Sequence, residues 1–205
     1  MNTPNYPTSI CGPLKLLTYN IHYGANANGV FNLEAVVETI RRSGANIIAL
    51  QEVDRVWGGR SLYYDEPRFI AEHLSMNYVF GATLKRDPTH PGSGEFGIML
   101  LSKYPIIQSD FCLLPSTLEQ RGRLLGWIQT PEGTIPVACT HLGLSALDRE
   151  SQINAILDRL PQKDDVLLLG DFNTEAGANE LGLLAGRLND LQQEYGLSDI
   201  GTFFL

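Results

Sequence analysis

The sequence predicts a protein of the α/β class, in which helices cover a largely buried sheet. Residues 166 to 169 are four consecutive apolar residues between polar residues and Gly170, a pattern typical of a strand buried on both faces. Two similar apolar runs near the N-terminus are separated by a helical pattern, which gives the order strand, helix, strand. At 205 residues, with 43% hydrophobic and 19% charged residues, the chain is long and apolar enough for one sizeable core.

The N-terminal elements follow from apolar spacing and capping residues. The run from Leu14 to Ile21 predicts a strand, and Asn46 to Leu50 predicts a second, buried one. Between them, Asn32 is a suitable N-cap and Gly44 a suitable stop for a helix. After a loop over residues 57–65, Pro67 opens a second helix.

The middle of the chain is predicted to be antiparallel, and the C-terminal third returns to alternating helices and strands. The predicted strands are Met76–Gly81, Glu95–Ser102, Ile106–Leu114, Leu124–Thr130 and Thr134–His141, with a surface loop over 85–94 and a hairpin turn over 131–133. A helix over about 146–160 leads into the strand at Val166. A further helix is predicted over 179–185.

Composition narrows the classes of function. A net charge of −8 and a pI near 4.9 disfavour charge-driven binding to nucleic acid, so a nucleic-acid substrate is allowed but not favoured. No apolar segment approaches the length of a membrane span, and the N-terminus lacks the pattern of a secretory signal. Cys11, Cys112 and Cys139 are odd in number and widely spaced, as in reduced thiols of a cytoplasmic protein. We expect a flexible lead-in over residues 1–13 and a single domain over 14–205.

Polar side chains stand at the ends of the predicted strands. They are Asn20, Glu52, His141, Asp171 and Asn173, while Glu95 begins a strand. The carboxyl ends of strands are where open α/β sheets hold ligands. This oxygen-rich set without a thiolate favours Mg²⁺ or Mn²⁺ over zinc.

Asp171 and Asn173 are two residues apart, so in extended backbone both project to the same side. A carboxylate beside an amide donor suits phosphoryl or acyl chemistry. The alternative is that both are turn residues that satisfy their own backbone.

Four ordered motifs resemble the endonuclease/exonuclease/phosphatase superfamily, which has the fold of pancreatic-type deoxyribonuclease. They are T-Y-N-I-H at 18–22, Q-E-V-D at 51–54, T-H-L-G at 140–143 and L-L-G-D-F-N at 168–173. The resemblance implies a four-layer sandwich, in which two mixed β-sheets pack face to face between outer helices. It also implies a divalent-metal-dependent phosphoesterase that acts by in-line attack of water.

The resemblance assigns roles to individual positions. Glu52 would be the principal metal carboxylate, with Asn20 beside it as a ligand or orienting amide. Asp171 would orient or deprotonate water, and Asn173 would donate to a phosphoryl oxygen. His141 would steady the phosphate or assist the leaving group, with Glu95 holding it in one tautomer.

Arg121 has two possible roles. It either reaches the substrate phosphate as a bidentate donor or forms a surface salt bridge.

The family pattern continues beyond Thr202-Phe203 into strands that carry a terminal histidine, whereas this sequence ends at Leu205. We therefore expect a C-terminally incomplete domain without its last strands, weakened catalysis, and self-association through an exposed sheet edge.

The favoured function is hydrolysis of a phosphodiester in a small molecule or a lipid headgroup. The alternatives are a metal-dependent nuclease and a catalytically impaired protein that binds metal or phosphate.

Overall fold

The computed structural model of the protein describes residues 13–87, 89–90, 93–162, 165–197 and 202. Most of the predicted lead-in, Cys11 and Phe203 therefore lie outside the described residues. The strands are β1 (Leu16–Asn20), β2 (Ile47–Arg55), β3 (Asn77–Lys85), β4 (Glu95–Ser102), β5 (Ile106–Leu113), β6 (Gly122–Thr130), β7 (Gly133–His141) and β8 (Leu167–Asp171). The α-helices are α1 (Leu33–Ser43), α2 (Glu66–Leu74), α3 (Ala146–Leu157) and α4 (Leu191–Glu194).

The strands form two mixed sheets of four strands each. The first has the order β1-β2-β4-β3, with β1 and β2 parallel and the other pairs antiparallel. The second has the order β5-β6-β7-β8, with β7 and β8 parallel and the other pairs antiparallel. Both parallel pairs are joined through helices, as parallel strands require.

Three apolar clusters hold the layers together and explain why several strands read as unbroken apolar runs. In β2, Ile48 and Leu50 pack under α1 and α2, whereas Ile47 and Ala49 face the second sheet. The inner cluster joins residues of both sheets, including Leu100 and Val137. The third cluster lies between the second sheet and α3. The predicted four-layer sandwich of two mixed sheets flanked by helices is confirmed.

Helix boundaries follow the predicted capping residues. The side chain of Asn32 accepts from the backbone N–H of Ala35, and Gly44 ends α1 in the left-handed region at φ 67°. The helix α2 begins one residue before Pro67, because Asp65 supplies its N-cap. The predicted helix over 179–185 is instead a 3₁₀ helix over Asn179–Gly186.

Several strands differ in length from the prediction. The strand β2 continues through the polar motif to Arg55, and β3 continues to Lys85, because both pair with β4 as far as Glu95, each across one register shift. Pairing with a neighbouring strand therefore extends these elements past the point where their apolar runs end.

Among the described residues, no helix is both long and apolar enough to span a membrane.

Candidate functional site

The candidate site lies where β1, β7 and β8 end, at one end of the two facing sheets. Asn20 is the last residue of β1, and His141 and Asp171 are the paired last residues of β7 and β8. A side chain at Gly170 would place its Cβ 2.3 Å from the backbone oxygen of Thr140. Glycine at this position therefore allows β8 to lie beside β7 and brings Asp171 next to His141.

Glu52 enters the site from a β-bulge and not from a strand end. The pairing of β2 with β4 is interrupted between Leu50 and Val53, and Glu52 has a left-handed φ of 56°. A bulge bends its strand and turns a side chain away from the regular alternation. The sequence prediction that Glu52 follows the end of its strand is therefore wrong, although the residue does reach the predicted edge.

Asn20 joins the two sheets at the site. Its Nδ2 lies 2.8 Å from Oε1 of Glu52 in the first sheet and 3.0 Å from Oδ2 of Asp171 in the second. Its Oδ1 accepts from the backbone N–H of His22 at 3.0 Å. The amide thus donates to both carboxylates, while its oxygen is held by the backbone.

Asp171 and Asn173 come together through a turn and not through extended backbone. The backbone N–H of Asn173 donates to Oδ1 of Asp171 at 2.9 Å, and Asn173 has a φ of 50°. This is the local turn that the sequence allowed as an alternative. The same turn directs Nδ2 of Asn173 to the carbonyl of Leu142 and to within 2.9 Å of His141 Nε2, so turn geometry and site geometry coincide.

His141 is a buried, neutral imidazole between two nitrogen donors. Arg121 Nη1 lies 3.2 Å from its Nδ1, and Asn173 Nδ2 lies 2.9 Å from its Nε2. Burial, followed by the positive charge of Arg121, lowers the pKa of His141 to about 4, against the opposing effect of the Asp171 carboxylate. A neutral ring accepts at only one nitrogen, so one of the two donors is in excess.

Arg121 is buried beside His141, with a side chain only 8% exposed. Its Nη1 also pairs with Glu119 at 2.5 Å, and its buried Nε has no hydrogen-bond partner among the described residues. Of the two alternatives for Arg121, the salt bridge is therefore present, with the partly exposed Glu119, but the guanidinium itself is buried and does not lie at the surface.

The structure does not bring Glu95 to His141. In the register of the first sheet, Glu95 lies between Arg55 on β2 and Lys85 on β3. One carboxylate oxygen pairs with Arg55 and the other lies 3.2 Å from Lys85 Nζ. The predicted contact between Glu95 and His141 is wrong, because the cations on the neighbouring strands hold the carboxylate.

A buried polar network behind Glu52 was missed by the sequence reasoning. Asp54 is fully buried and accepts two hydrogen bonds from Arg60 and one from Ser61. The backbone N–H of Asp54 donates to Glu66, whose other carboxylate oxygen is buried without a partner among the described residues. Burial raises the pKa of Glu66 to about 8. The charged residues in a segment read as a loop were the available signal.

The oxygen ligands that the site offers to a metal ion come from the Glu52 and Asp171 carboxylates and the Asn20 amide. Across the described part of the chain, no group of three or more His, Cys, Asp and Glu side chains converges to hold a metal ion. A site for a hard cation would therefore need water or substrate oxygens as further ligands. Mg²⁺ commonly binds in this way, with one or two carboxylates. Glu52 and Asp171, both within hydrogen-bond distance of one nitrogen, fit that requirement.

Comparison with solved structures gives the same fold. An endonuclease/exonuclease/phosphatase from Beutenbergia cavernae DSM 12333 aligns with a TM-score of 0.70 and 25% identity over 80% of this chain and 49% of its own. The chain thus spans about half the length of that relative. The human Nocturnin catalytic domain with bound sulfate aligns with a TM-score of 0.68 and 19% identity, covering 88% of this chain and 72% of its own. A mannosyl-6-phosphatase from Bacteroides thetaiotaomicron VPI-5482 aligns with a TM-score of 0.67 and 14% identity, covering 85% of this chain and 70% of its own.

The family assignment comes from the sequence. No curated protein matches the chain significantly. The sequence profile of the Endonuclease/Exonuclease/phosphatase family, whose members are hydrolases, matches residues 17–204, which is most of the chain. The chain therefore belongs to the endonuclease/exonuclease/phosphatase family.

Proposed function

We propose that the chain is a divalent-metal-dependent phosphoesterase that hydrolyses a phosphodiester to a monoester and an alcohol by in-line attack of water. The observation that carries this proposal is the contact of one nitrogen, Asn20 Nδ2, with the carboxylates of both Glu52 and Asp171. Carboxylates from two sheets converge there beside the neutral His141. Such a set suits water activation next to a phosphate better than attack by a protein nucleophile.

Glu52 and Asn20 are the proposed metal-site residues, and the Asp171 carboxylate, which shares the Asn20 Nδ2 donor with Glu52, would complete the site. Enzymes of the family generally use divalent metals. A bound Mg²⁺ or Mn²⁺ would neutralise phosphate charge and polarise the phosphoryl group. Asn20 Nδ2 donates to both carboxylates, and its Oδ1 accepts from the backbone N–H of His22, which favours its role as an orienting amide over that of a direct ligand.

The remaining residues would handle the water and the phosphate. Asp171 would orient the attacking water and accept its proton, because its carboxylate is anchored by Asn20 and the backbone of Asn173. Either Asn173 or Arg121 is in excess at the His141 ring, and the spare donor would turn to a phosphoryl oxygen as charge develops there. His141, whose pKa of about 4 keeps it neutral, would assist as a hydrogen-bond donor or acceptor.

The proposed substrate is a small-molecule or lipid-headgroup diester. The net charge of −8 opposes the counterion release that favours binding to nucleic acid. Glu95 pairs with Arg55 at the end of the first sheet that carries the site, and it would act there only by positioning Arg55.

Hydrolysis of methyl p-nitrophenyl phosphate by the purified chain, with Mg²⁺ and with EDTA, tests the proposal. We expect Mg²⁺-dependent turnover that EDTA, Asp171→Ala and Glu52→Gln each abolish. Glu34→Gln, which removes an exposed carboxylate on α1, should leave it unchanged. Turnover that persists in Asp171→Ala would refute the proposal. So would a parent that hydrolyses neither this diester nor the monoester p-nitrophenyl phosphate.

We also propose a single domain over residues 14–205, a cytoplasmic location, and self-association through a sheet edge.

A further inference from the structure

Three leucines near the candidate site are strongly exposed. Leu118, Leu144 and Leu147 are 71%, 70% and 77% exposed, more than the other large apolar residues described apart from Tyr195. A single exposed leucine needs no explanation, whereas exposed apolar side chains gathered at one place indicate a binding surface. We refer to these three residues as the leucine rim.

The leucine rim stands on backbone that is firmly braced by α3. Asp148, buried at the start of α3, accepts from both the backbone N–H and the hydroxyl of Thr117, directly before Leu118. Arg149 donates to the carbonyls of Gly143 and Leu144. Because Thr117 precedes Leu118 and Asp148 follows Leu147, this contact brings the backbone of Leu118 close to that of Leu147. Hydrogen bonds from buried polar groups thus hold the backbone of Leu118 and Leu144 close to the start of α3, where Leu147 lies, while all three side chains are exposed.

The leucine rim adjoins the His141 side of the candidate site. Leu144 follows His141 by three residues and Leu118 precedes Arg121 by three, a span of at most ~10 Å of extended chain. The intervening Leu142 carbonyl accepts from Asn173, and the backbone N–H of Arg121 donates to Ser116. An ester whose phosphate lay between Arg121 and Asn173 would bring its substituent to these leucines.

We propose that the leucine rim binds an alkyl or acyl chain carried by the phosphodiester substrate. This inference rests on the proposed function and names the substrate class more narrowly. The exposed charged residues beside the leucine rim, Glu119 and Glu150, are acidic and would repel further negative charge. Apart from its phosphate, the substrate would therefore be neutral or zwitterionic. Such a chain would come either from a dispersed amphiphile or from a bilayer.

Two esters with the same leaving group measure the effect of the chain. We expect the parent to hydrolyse hexyl p-nitrophenyl phosphate with about tenfold higher kcat/KM than the methyl ester. Leu118→Ser, Leu144→Ser and Leu147→Ser together should remove this preference and leave the methyl ester unaffected. The matched control is Ile107→Ser, which removes a 56% exposed side chain at the opposite end of the second sheet. Equal preference in the parent and in the triple variant overturns the inference.

A binding measurement separates this inference from the proposed function. Calorimetry with dodecylphosphocholine below its micelle concentration should show binding to the parent that weakens at least tenfold in the triple variant. No binding to the parent overturns the inference, even if the methyl ester is hydrolysed. Binding without turnover of either ester supports the leucine rim and refutes the proposed function.

Co-sedimentation with phosphatidylcholine vesicles separates the two sources of the chain. Loss of vesicle binding in the triple variant supports the inference with a bilayer as the source, whereas dodecylphosphocholine binding without vesicle binding supports it with a dispersed amphiphile. A dimer of the parent that the triple variant abolishes, with no effect on either ligand, would overturn the inference in favour of a contact between two copies.

Discussion

Asn20 is the residue on which the proposed site depends most, because its single amide nitrogen contacts both carboxylates. The two carboxylates come from different sheets and would repel each other without a shared donor. Asn173 plays a comparable part for His141 and for the Leu142 carbonyl. Each of these amides thus positions groups that local sequence alone would leave unrelated.

Replacing Asn20 by alanine should lower kcat/KM by about 10- to 100-fold, the usual effect of removing a group that orients metal-site ligands. The concentration of Mg²⁺ needed for half-maximal activity should rise with it. Activity measured over a Mg²⁺ titration checks both, with the exposed Asn28→Ala as the matched control. A variant with parental kcat/KM and Mg²⁺ requirement would contradict the role assigned to the amide.

Glu66 should make the stability of the fold depend on pH. Its pKa is raised to about 8 by burial, whereas an unfolded glutamate titrates near 4.5. Between these two values the folded state holds a proton that the unfolded state has lost, so the contribution of Glu66 to stability is largest below pH 4.5 and is lost as the pH rises through about 8.

Glu66→Gln should remove this loss, a gain on the order of a few kcal/mol above pH 8, because glutamine resembles the protonated acid. Urea unfolding at pH 5, 7 and 9 in EDTA measures the change. Glu72→Gln, at an exposed position on the same helix, should keep the parental slope. An unchanged pH slope in Glu66→Gln would show that Glu66 does not hold the proton.

At the scale of elements, two local features bring the catalytic candidates together. The bulge in β2 turns Glu52 toward the site, and the close approach of β8 to β7 at Gly170 sets Asp171 beside His141. The first is a departure from regular strand geometry, and the second is a close backbone approach within a regular parallel pairing, which glycine permits.

Gly170→Ala should destabilise the fold by about 1–3 kcal/mol, because the added methyl group meets the Thr140 backbone oxygen at 2.3 Å. It should also lower activity, because the methyl group would push β8 away from β7 and so move Asp171 away from His141. Urea unfolding and the diester assay measure both effects. Gly182→Ala, where a methyl group meets nothing within 4 Å, is the control, and equal stability of the two variants would refute the close approach.

At the scale of the whole molecule, the site lies across the boundary between the two sheets. Glu52 belongs to the first sheet and Asp171 to the second, while the inner apolar cluster joins the sheets below them. A cation held by both carboxylates would bind the folded state and not the unfolded chain, and would therefore stabilise the entire sandwich.

Saturating Mg²⁺ should accordingly raise the Tm. At about 100 times its Kd, the gain is about 2.7 kcal/mol, which corresponds to roughly 5–10 °C for a chain of this size. Thermal unfolding with Mg²⁺ and with EDTA measures the shift. Asp171→Ala should lose it and Glu34→Gln should keep it, so an equal shift in Asp171→Ala would place Mg²⁺ binding elsewhere.

The fold class, the order of most elements and the placement of Asn20, His141 and Asp171 at strand ends follow from local sequence. Apolar periodicity and capping residues are local properties, and the ordered motifs around Asn20, His141 and Asp171 identify the family. The bulge at Glu52, the burial of Arg121 against His141 and the pairing of Glu95 with Arg55 and Lys85 become visible only in the folded molecule. Each of these depends on the register between strands distant in sequence, which local patterns do not encode.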